Sequence, residues 1–462
     1  MNAYERVSSL FDATSVKVRS YGKKSGFLLG SGEIDGLKKY FAVFNTDQKP
    51  ESFFEDFQYL NKFLSHIQTD PAPLILMMDI PSSHKSAQQS PFPNDAPKLL
   101  AAKDGVANWY YNHAKLSGKV PQVCIVFDKM GAALTFPIAL SDSVVMLKDG
   151  GMSIGRLDVV SKILHKDLEY EKLGGAELHA KESGSIDYVA NDDSEAIEYV
   201  KKYLSYFPQI SKEELPQREF RYTSTKSIES LIPKDAMHFL DMDALLQNLA
   251  DDGSVCELRG SFAREIITSF ATFNGHVAGV VANRSGVNSG ILFPKSSLKA
   301  SRFISLCDSF GIPLVFLADS AGFMIGDEVE KAGNVKSAAQ LFSTISNTTT
   351  AKLSVAIRRA YTAGLYAMAG GGLMPDRFVA LPSAIISIYG EGVAKELMQT
   401  SSSDEKESAV EMMNSAHKPQ DYLDKGLLDE IVEYENLRDE IISFVSKFQD
   451  GTRASSKTVQ VI

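Results

Sequence analysis

An internal repeat constrains the fold of this chain more than any other feature of the sequence. Two apolar runs end in an aspartate, Asp79 in the first half and Asp319 in the second. Each precedes a second apolar run, a group of small residues and an apolar helical segment, at 120–147 and 350–372. Short buried strands that alternate with helices are typical of α/β folds with mostly parallel strands. The pattern predicts two similar α/β units in tandem, although generic alternation of strands and helices can also produce it.

The two halves are separated by a segment with the composition of a linker. Residues 206–235 are charged, interrupted by proline and weakly periodic. We therefore expect an N-terminal domain at 1–215 and a C-terminal domain at 216–462. The stretch 82–98 carries three prolines and predicts a surface excursion, and the tail at 451–462 is expected to fray.

The composition excludes several classes of protein. Net charge over the 462 residues is −10, and a nucleic-acid-binding protein needs a basic face, so polyanion binding is not the expected task. A local basic pocket for a phosphorylated ligand stays open. The three cysteines lie far apart and the eight histidines form no ligand motif, so we expect no disulfide framework and no metal site. Without a secretory signal or an apolar run of membrane-helix length, a cytoplasmic enzyme that binds no membrane is expected.

Small residues occupy the point where a buried strand is predicted to turn into a helix, in both halves. These elbows are Gly131-Ala132-Ala133 and Ala363-Gly364. The first N–H groups of a helix lack internal partners and carry the positive end of the helix dipole. Two such groups that point at one oxygen form an oxyanion hole for an enolate or a tetrahedral species. Small residues at one elbow can also serve only tight packing, but their repetition favours the oxyanion hole.

Other chemistry has weaker support in the sequence. No Gly-x-x-x-x-Gly-Lys-Ser/Thr phosphate loop occurs. Gly370-Gly371-Gly372 is interpreted as a flexible turn, and His179 as a packing or hydrogen-bonding residue rather than a catalytic base. The elbows are therefore the candidate catalytic elements.

Several motifs extend in order over nearly the whole chain. Leu173-Gly174-Gly175-Ala176 precedes His179, and the second half contains Ser-Ser-x-Lys-Ala-x-Arg-Phe and Cys-Asp-x-Phe-x-Ile-Pro-Leu. The segments concerned are 4–12, 173–184, 277–292, 296–323, 330–342 and 419–432. In these segments the chain resembles the carboxyltransferase subunits of biotin-dependent acyl-CoA carboxylases, of the propionyl-CoA carboxylase beta type.

The resemblance implies an α/β fold of two tandem crotonase-type β/α superhelix domains. It also implies roles for the elbows. Gly131 and Ala132 would hold the carbonyl of an acyl-CoA thioester, and Ala363 and Gly364 the ureido oxygen of biotin. Because the biotin nitrogen itself can take the α-proton, the family's chemistry requires no side-chain acid or base.

The resemblance further implies substrate contacts and partners. Tyr366 would occupy the position associated with acyl-chain preference, and Gly322, Phe323 and Gly155 are further candidate substrate-binding residues. A homo-oligomer, dimer or hexamer, is implied, with an active site formed between one subunit's first domain and another's second. No Met-Lys-Met biotinylation motif occurs, so a separate biotin carrier and a biotin carboxylase are the expected partners.

The chain departs from the family pattern at both elbows. The first elbow, typically Ala-Gly-Gly-Ala, has Met130 at its start and Ala132 in place of a glycine. The second, typically Tyr-Gly-Gly-Ala-Tyr, has Thr362 and Ala363 in place of glycines. An alanine in place of glycine still donates its N–H, provided that its φ is negative. Further departures, more of them in the first half, lie at 46–51, 80–84 and 320–326.

Three hypotheses follow. The first is a carboxyltransferase that moves CO2 from carboxybiotin to the α-carbon of an acyl-CoA or acyl-carrier thioester through an enolate. The second is a divergent member that acts without biotin, as a malonyl-type thioester decarboxylase or an acyl- or enolate-transfer enzyme of a specialised pathway. The third is a non-catalytic scaffold subunit that pairs with an active paralogue.

Overall fold

The chain forms two compact units in a computed structural model. The model describes residues 1–19, 26–45, 53–79, 96–208, 217–224, 226–235, 238–388, 418–448 and 457–459. One unit comprises Met1–Lys212 and Ser456–Val461, and the other Glu213–Ser455 with Ile462. The expected domain boundary after residue 215, the departures at 46–51 and 80–84, and most of the expected excursion at 82–98 lie outside the described residues.

The first unit contains one large and one small sheet. Its strands are β1 Lys17–Arg19, β2 Phe27–Ile34, β3 Leu37–Asn45, β4 Leu74–Asp79, β5 Gln122–Val126, β6 Lys129–Gly131, β7 Ser143–Leu147, β8 Gly151–Ser153 and β9 Tyr188–Ala190. The large sheet has the order β1-β2-β3-β4-β5-β7-β9, and β6 pairs with β8 in the small one. Strands β1 to β3 are antiparallel to one another, and the remaining neighbours are parallel.

Helices cover this sheet because their apolar residues recur at helical spacing. They are α1 Ala3–Leu10, α2 Phe53–Thr69, α3 Ala96–Ala101, α4 Val106–Leu116, α5 Thr135–Leu140, α6 Leu157–Leu164, α7 Tyr170–Gly174, α8 Ala176–Leu178 and α9 Asp193–Leu204, with a 3-10 turn at Ala132–Leu134 and a π turn at His179–Ser183. On α2, Phe57, Leu60, Leu64 and Ile67 form one buried face. Trp109 of α4 is fully buried against the Phe27 ring, 5.8 Å away between centroids.

The second unit repeats this organisation. Its strands are β10 Cys256–Glu257, β11 Ile266–Phe273, β12 His276–Asn283, β13 Leu314–Ser320, β14 Lys352–Tyr361, β15 Arg377–Ala380, β16 Ile385–Ser387 and β17 Glu430–Ile431. The sheet order is β10-β11-β12-β13-β14-β15-β17, and β16 also pairs with β14. Strands β10 to β12 are antiparallel and the other neighbours are parallel. The prediction of two α/β units with buried, mostly parallel strands is confirmed.

The described helices of the second unit surround this sheet. They are α10 Ile228–Leu231, α11 Met242–Leu249, α12 Pro294–Ser309, α13 Asp327–Lys331, α14 Asn334–Asn347, α15 Thr362–Ala367, α16 Pro419–Asp424 and α17 Leu437–Lys447, with 3-10 turns at Asn288–Gly290, Gly371–Leu373 and Tyr434–Asn436. Proline at the first position of α12 fits a helix start, where its missing N–H costs nothing.

Part of the C-terminal tail is ordered, which corrects the expectation of fraying. The N–H of Val459 donates to the Ser117 hydroxyl at 3.0 Å, and Val459 is buried. Residues 457–459 therefore pack with the first unit, although the sequence assigned them to the second half.

Candidate active site

The first elbow joins the small sheet to a helix. Gly131 ends β6 and lies opposite Ser153 of β8. Ala132 follows with a φ of 53°, the left-handed conformation that glycine favours, and then the 3-10 turn leads into α5. The condition of a negative φ, set from the sequence for an alanine donor, is therefore not met at Ala132. A left-handed alanine costs about 1–2 kcal/mol, a strain that the surrounding contacts have to offset.

The second elbow has the same geometry, but here the long strand β14 leads directly into the helix. Tyr361 ends β14 and lies opposite Ser387 of β16. Thr362 follows with a φ of 39° and begins α15. Its hydroxyl donates to the carbonyl of Ile388 at 2.9 Å, which ties the start of the helix to the chain after β16.

The strand pairing gives the equivalent residues of the two elbows. Gly131 corresponds to Tyr361, and the left-handed Ala132 corresponds to Thr362. Ala133 then corresponds to Ala363. The sequence placed Thr362 in the second elbow as a departure from the family pattern but did not indicate its left-handed conformation, which is unusual for a residue with a Cβ.

In both elbows, backbone N–H groups at the helix start have no hydrogen-bond acceptor among the described residues. In the part of the chain that the structure describes, no acceptor takes the N–H of Ala133 in the first elbow or of Ala363 and Gly364 in the second. These groups belong to the first turn of a helix, where no earlier carbonyl of the helix is in reach. Ala133 and Ala363 are partly exposed, and Gly364 is buried.

Gly364 is required by close packing against the loop that follows β13. A Cβ on Gly364 would stand 2.8 Å from the Cα of Gly322 and 3.0 Å from its nitrogen. Gly322 has a φ of 112°, and its N–H donates to the Ser320 hydroxyl at 3.0 Å. The structure thus brings together two of the predicted site residues, and the contact leaves no room for a side chain at Gly364.

The remaining predicted residues lie near the elbows of their own units. Tyr366 is on α15, two residues after Gly364, and is 46% exposed. Phe323 follows Gly322 and packs edge-on against the Phe342 ring, with 5.8 Å between centroids. The carbonyl of Gly155 accepts a hydrogen bond from Ser153, the partner of the elbow strand.

The Leu-Gly-Gly-Ala-x-x-His motif packs against β8, the strand that pairs with β6 of the first elbow. A Cβ on Gly174 would stand 2.2 Å from the Met152 carbonyl oxygen, so only glycine allows α7 to approach β8. His179 donates from Nε2 to the same carbonyl at 2.8 Å, and its Nδ1 lies 2.9 Å from the Ser183 hydroxyl. Burial lowers the pKa of His179, although the bond to Met152 acts in the opposite direction. These contacts agree with its interpretation as a hydrogen-bonding residue.

One motif was overlooked in the sequence. Gly151 to Gly155 matches Gly-x-Ser-x-Gly, the pattern of a serine nucleophile elbow. Ser153 at its centre ends a strand, donates to the Gly155 carbonyl at 3.0 Å and has no left-handed φ. His179 bonds to Met152 and Ser183 instead of to Ser153. The geometry does not activate this serine as a nucleophile.

Asp79 at the end of β4 and Asp319, the penultimate residue of β13, are structural. Asp79 pairs with Arg6 of α1 at 2.7 Å. Asp319 is fully buried and pairs with Arg358 and Arg359, each at 2.9 Å. Burial raises the pKa of Asp319, but the hydrogen bonds and charges of both arginines outweigh it and hold the pKa below its usual range. Asp319 therefore stays ionised and is no general acid.

Lys299 of the Ser-Ser-x-Lys motif is also structural. Its side chain is fully buried, and its Nζ donates to the carbonyls of Phe262 at 2.9 Å and Ile266 at 2.7 Å. Burial lowers its pKa to about 8. Since its amine donates to backbone carbonyl oxygens, Lys299 stabilises the loop before β11 and does not serve as a base.

Two further findings bear on the kind of site. Within the described ranges, no group of three or more His, Cys, Asp or Glu side chains could hold a metal ion. Nor do the described helices include one that is both long and apolar enough to cross a membrane.

Comparison with known proteins identifies the family. The model of the carboxyl transferase domain matches residues 61–459. The chain belongs to the carboxyl transferase family. This match confirms the family resemblance found in the sequence. It also confirms the enzyme class, a carboxyl transferase.

Relatives and a solved structure agree with this assignment. An uncharacterised carboxylase, YngE, of Bacillus subtilis is 38% identical over 325 residues, which are 70% of this chain and 62% of that protein. The propionyl-CoA carboxylase beta chain of Cereibacter sphaeroides is 30% identical over 341 residues, 72% of this chain and 67% of that protein. The chain therefore spans about two thirds of the length of these relatives.

The structural likeness covers the whole chain. A crystal structure of transcarboxylase 12S, a hexamer with methylmalonyl-coenzyme A and methylmalonic acid bound, matches 100% of this chain and 92% of its own with a TM-score of 0.86. Sequence identity in that match is 27%. The predicted fold class of two crotonase-type α/β domains is confirmed.

Proposed function

We propose that the chain is a carboxyltransferase subunit that moves CO2 from carboxybiotin on a separate carrier protein to the α-carbon of an acyl-CoA thioester. The family membership supports carboxyl transfer as the reaction class. The elbow geometry supports the mechanism, because in both units helix-start N–H groups have no acceptor among the described residues. That geometry is the observation on which the proposal rests.

At the first elbow, the N–H of Ala133 would receive the thioester carbonyl, and Gly131 and the left-handed Ala132 would form the turn that presents it. Loss of the α-proton places a negative charge on this oxygen as the enolate forms. Backbone N–H groups that already point towards the oxygen stabilise that charge without reorganisation, by about 3–4 kcal/mol for a well-placed donor. The new C–C bond then forms between the α-carbon and the carboxyl carbon, and the carbonyl is restored.

At the second elbow, Ala363 and Gly364 would hold the ureido oxygen of biotin. The residues fit such a group, since the N–H groups of Ala363 and Gly364 have no acceptor among the described residues and the contact with Gly322 fixes the start of α15. When bound, biotin supplies the carboxyl group and the nitrogen that takes the α-proton. The chain's own part is to orient the ureido oxygen and stabilise the charge that develops there as the N–C bond breaks.

Four residues would shape the substrate sites. Tyr366 is exposed on α15 and would limit the length of the acyl chain. Gly322 and Phe323 would line the second elbow, and Gly155 the first. Tyr366 lies two residues after Gly364, and Gly322 contacts Gly364, which supports these two assignments. Phe323 is adjacent to Gly322, and Gly155 bonds to Ser153, the residue paired with Gly131.

We also propose a homo-oligomer, with a biotin carboxylase and a biotin carrier as separate partners. The structurally similar transcarboxylase 12S assembles as a hexamer. In such an assembly, one subunit's first domain and another's second would complete the active site.

The test is transfer of labelled carboxyl from methylmalonyl-CoA or malonyl-CoA to free biotin or a biotinylated carrier by the purified chain. We expect transfer that depends on biotin and that avidin blocks. Release of labelled CO2 at the same rate without biotin contradicts the proposal and favours a thioester decarboxylase. No turnover of any thioester, by a chain that is folded and oligomeric, favours a non-catalytic scaffold subunit.

A further inference from the structure

A bulge in β14 lies just before the second elbow. Ala318 faces Ala356 and Ser320 faces Ala360, so the single residue Asp319 stands opposite three residues of β14. Bulges loosen the hydrogen bonds of a sheet and turn the strand that carries them. Here the Asp319 carboxylate takes the place of a strand carbonyl as acceptor, because the N–H of Arg359 donates to its Oδ1 at 3.2 Å.

The two arginines of the bulge share Asp319 but differ in their other partners. Arg358 donates from Nη2 to Asp319 at 2.9 Å and from Nη1 to the His238 carbonyl at 2.8 Å, away from the elbow. Arg359 donates from Nε to Asp319 at 2.9 Å and from Nη2 to the Ser289 carbonyl at 3.1 Å. The guanidinium of Arg359 thus connects the bulge to the turn that contains Ser289.

That turn is strained and reaches the elbow. Asn288, Ser289 and Gly290 have φ values of 47°, 54° and 67°, a left-handed run that is unfavourable for the two non-glycine residues. The Gly290 carbonyl accepts from the Ser320 hydroxyl at 2.7 Å, and the same hydroxyl accepts from the N–H of Gly322. These hydrogen bonds connect the turn to Gly322, and Gly322 packs against Gly364 at the start of α15.

We propose that Arg359 is a positioning residue for the second elbow, its guanidinium holding the bulge and the left-handed turn together so that the α15 N–H groups keep their direction. The inference rests on the proposed function of that elbow. Lysine cannot replace arginine in this role, because one ammonium group does not span two acceptors with the fixed geometry of a planar guanidinium.

Arg359→Lys and Arg358→Lys form a matched pair for the test. Each variant keeps its charge beside Asp319, and only Arg359→Lys loses the link to Ser289. We expect Arg359→Lys to lower kcat for carboxyl transfer at least tenfold with KM for the thioester unchanged, and Arg358→Lys to stay within twofold of the parent. Amide hydrogen exchange at Gly290 and Gly322, whose N–H groups donate to the Val287 carbonyl and the Ser320 hydroxyl, should be at least fivefold faster in Arg359→Lys than in Arg358→Lys, at equal Tm.

The outcomes separate this inference from the proposed function. Equal kcat losses and equal exchange in the two variants mean that both arginines only stabilise the fold, and overturn it. If the parent chain transfers no carboxyl group, the proposed function fails, and the exchange comparison alone decides the inference. If Arg359→Lys does not fold, Arg359→Gln and Arg358→Gln, which both lose the charge beside Asp319, replace the pair with the same expected difference.

Discussion

Gly364 touches Gly322 so closely that no side chain fits between them. A Cβ on Gly364 would stand 2.8 Å from the Cα of Gly322, which is backbone and cannot rotate away. The contact joins the start of α15 to the loop after β13, the two segments that would surround a ligand at the second elbow. Replacing this glycine is therefore the most direct test of that site.

Gly364→Ala should displace α15 from the loop and lower kcat/KM of carboxyl transfer by about a hundredfold, because misplacing a reacting group by about 1 Å has an effect of that size. Gly372→Ala is the matched control, since a Cβ there meets no atom within 4 Å and its φ is not left-handed. Steady-state kinetics of the two variants, with Tm recorded for both, decide the question. Equal activity in the two variants contradicts the role of the contact.

Ala132→Gly should stabilise the first elbow. Ala132 pays for its left-handed φ of 53°, and glycine adopts this conformation without a steric penalty at some cost in chain entropy. The net gain in the free energy of unfolding should be about 0.5–1 kcal/mol, measured by urea denaturation. Ala133→Gly, at the next residue, which has no left-handed φ, should instead lose about 0.5–1 kcal/mol.

A gain at both positions, or at neither, would show that the conformation of Ala132 is not the cause. At the second elbow, Thr362→Gly should gain less, because it relieves the φ of 39° but also removes the hydroxyl bond to Ile388.

The order of strands and helices could be predicted because it depends on apolar periodicity, which the sequence shows directly. The runs that end at Asp79 and Asp319 became β4 and β13, and the expected helices followed the elbows. Small residues marked the elbows for the same reason, since strand and helix pack closely there.

The local conformation of the elbows could not be predicted. Alanine and threonine rarely adopt a left-handed φ, so Ala132 and Thr362 give no signal for it, although each directly follows a strand residue paired with β8 or β16. The bulge opposite Asp319 could not be predicted either, because register depends on both strands and the sequence shows each strand separately.

Tyr366→Ile should shift the preference of the enzyme towards longer acyl chains. The Tyr366 ring is exposed on α15 beyond the elbow, and a smaller side chain leaves room for additional methylene groups. One methylene in a hydrophobic pocket changes kcat/KM by about tenfold or more. The measurement is the ratio of kcat/KM for propionyl-CoA and acetyl-CoA in the carboxylation direction. Tyr111→Ile, at an exposed tyrosine of the first unit, should leave this ratio unchanged.

His113 should make the first unit sensitive to acid. The ring is fully buried on α4, its Nε2 lies 3.2 Å from the Ser141 hydroxyl, and its Nδ1 has no partner among the described residues. Burial lowers the pKa of His113 to about 4, whereas an unfolded histidine titrates near 6.5. The unfolded state therefore binds the proton first, and the stability from the neutral ring is complete above about pH 6.5 and is lost as the pH falls towards 4. Over that interval His113 should contribute a decrease on the order of 3 kcal/mol in the free energy of unfolding.

His113→Gln keeps a group that can reach Ser141 but does not titrate, so the difference between parent and variant isolates this residue from the other histidines. Urea denaturation followed between pH 7 and 4 measures it. Parallel pH profiles for parent and variant would mean that His113 takes up no proton on unfolding and that its burial has no energetic consequence in this range.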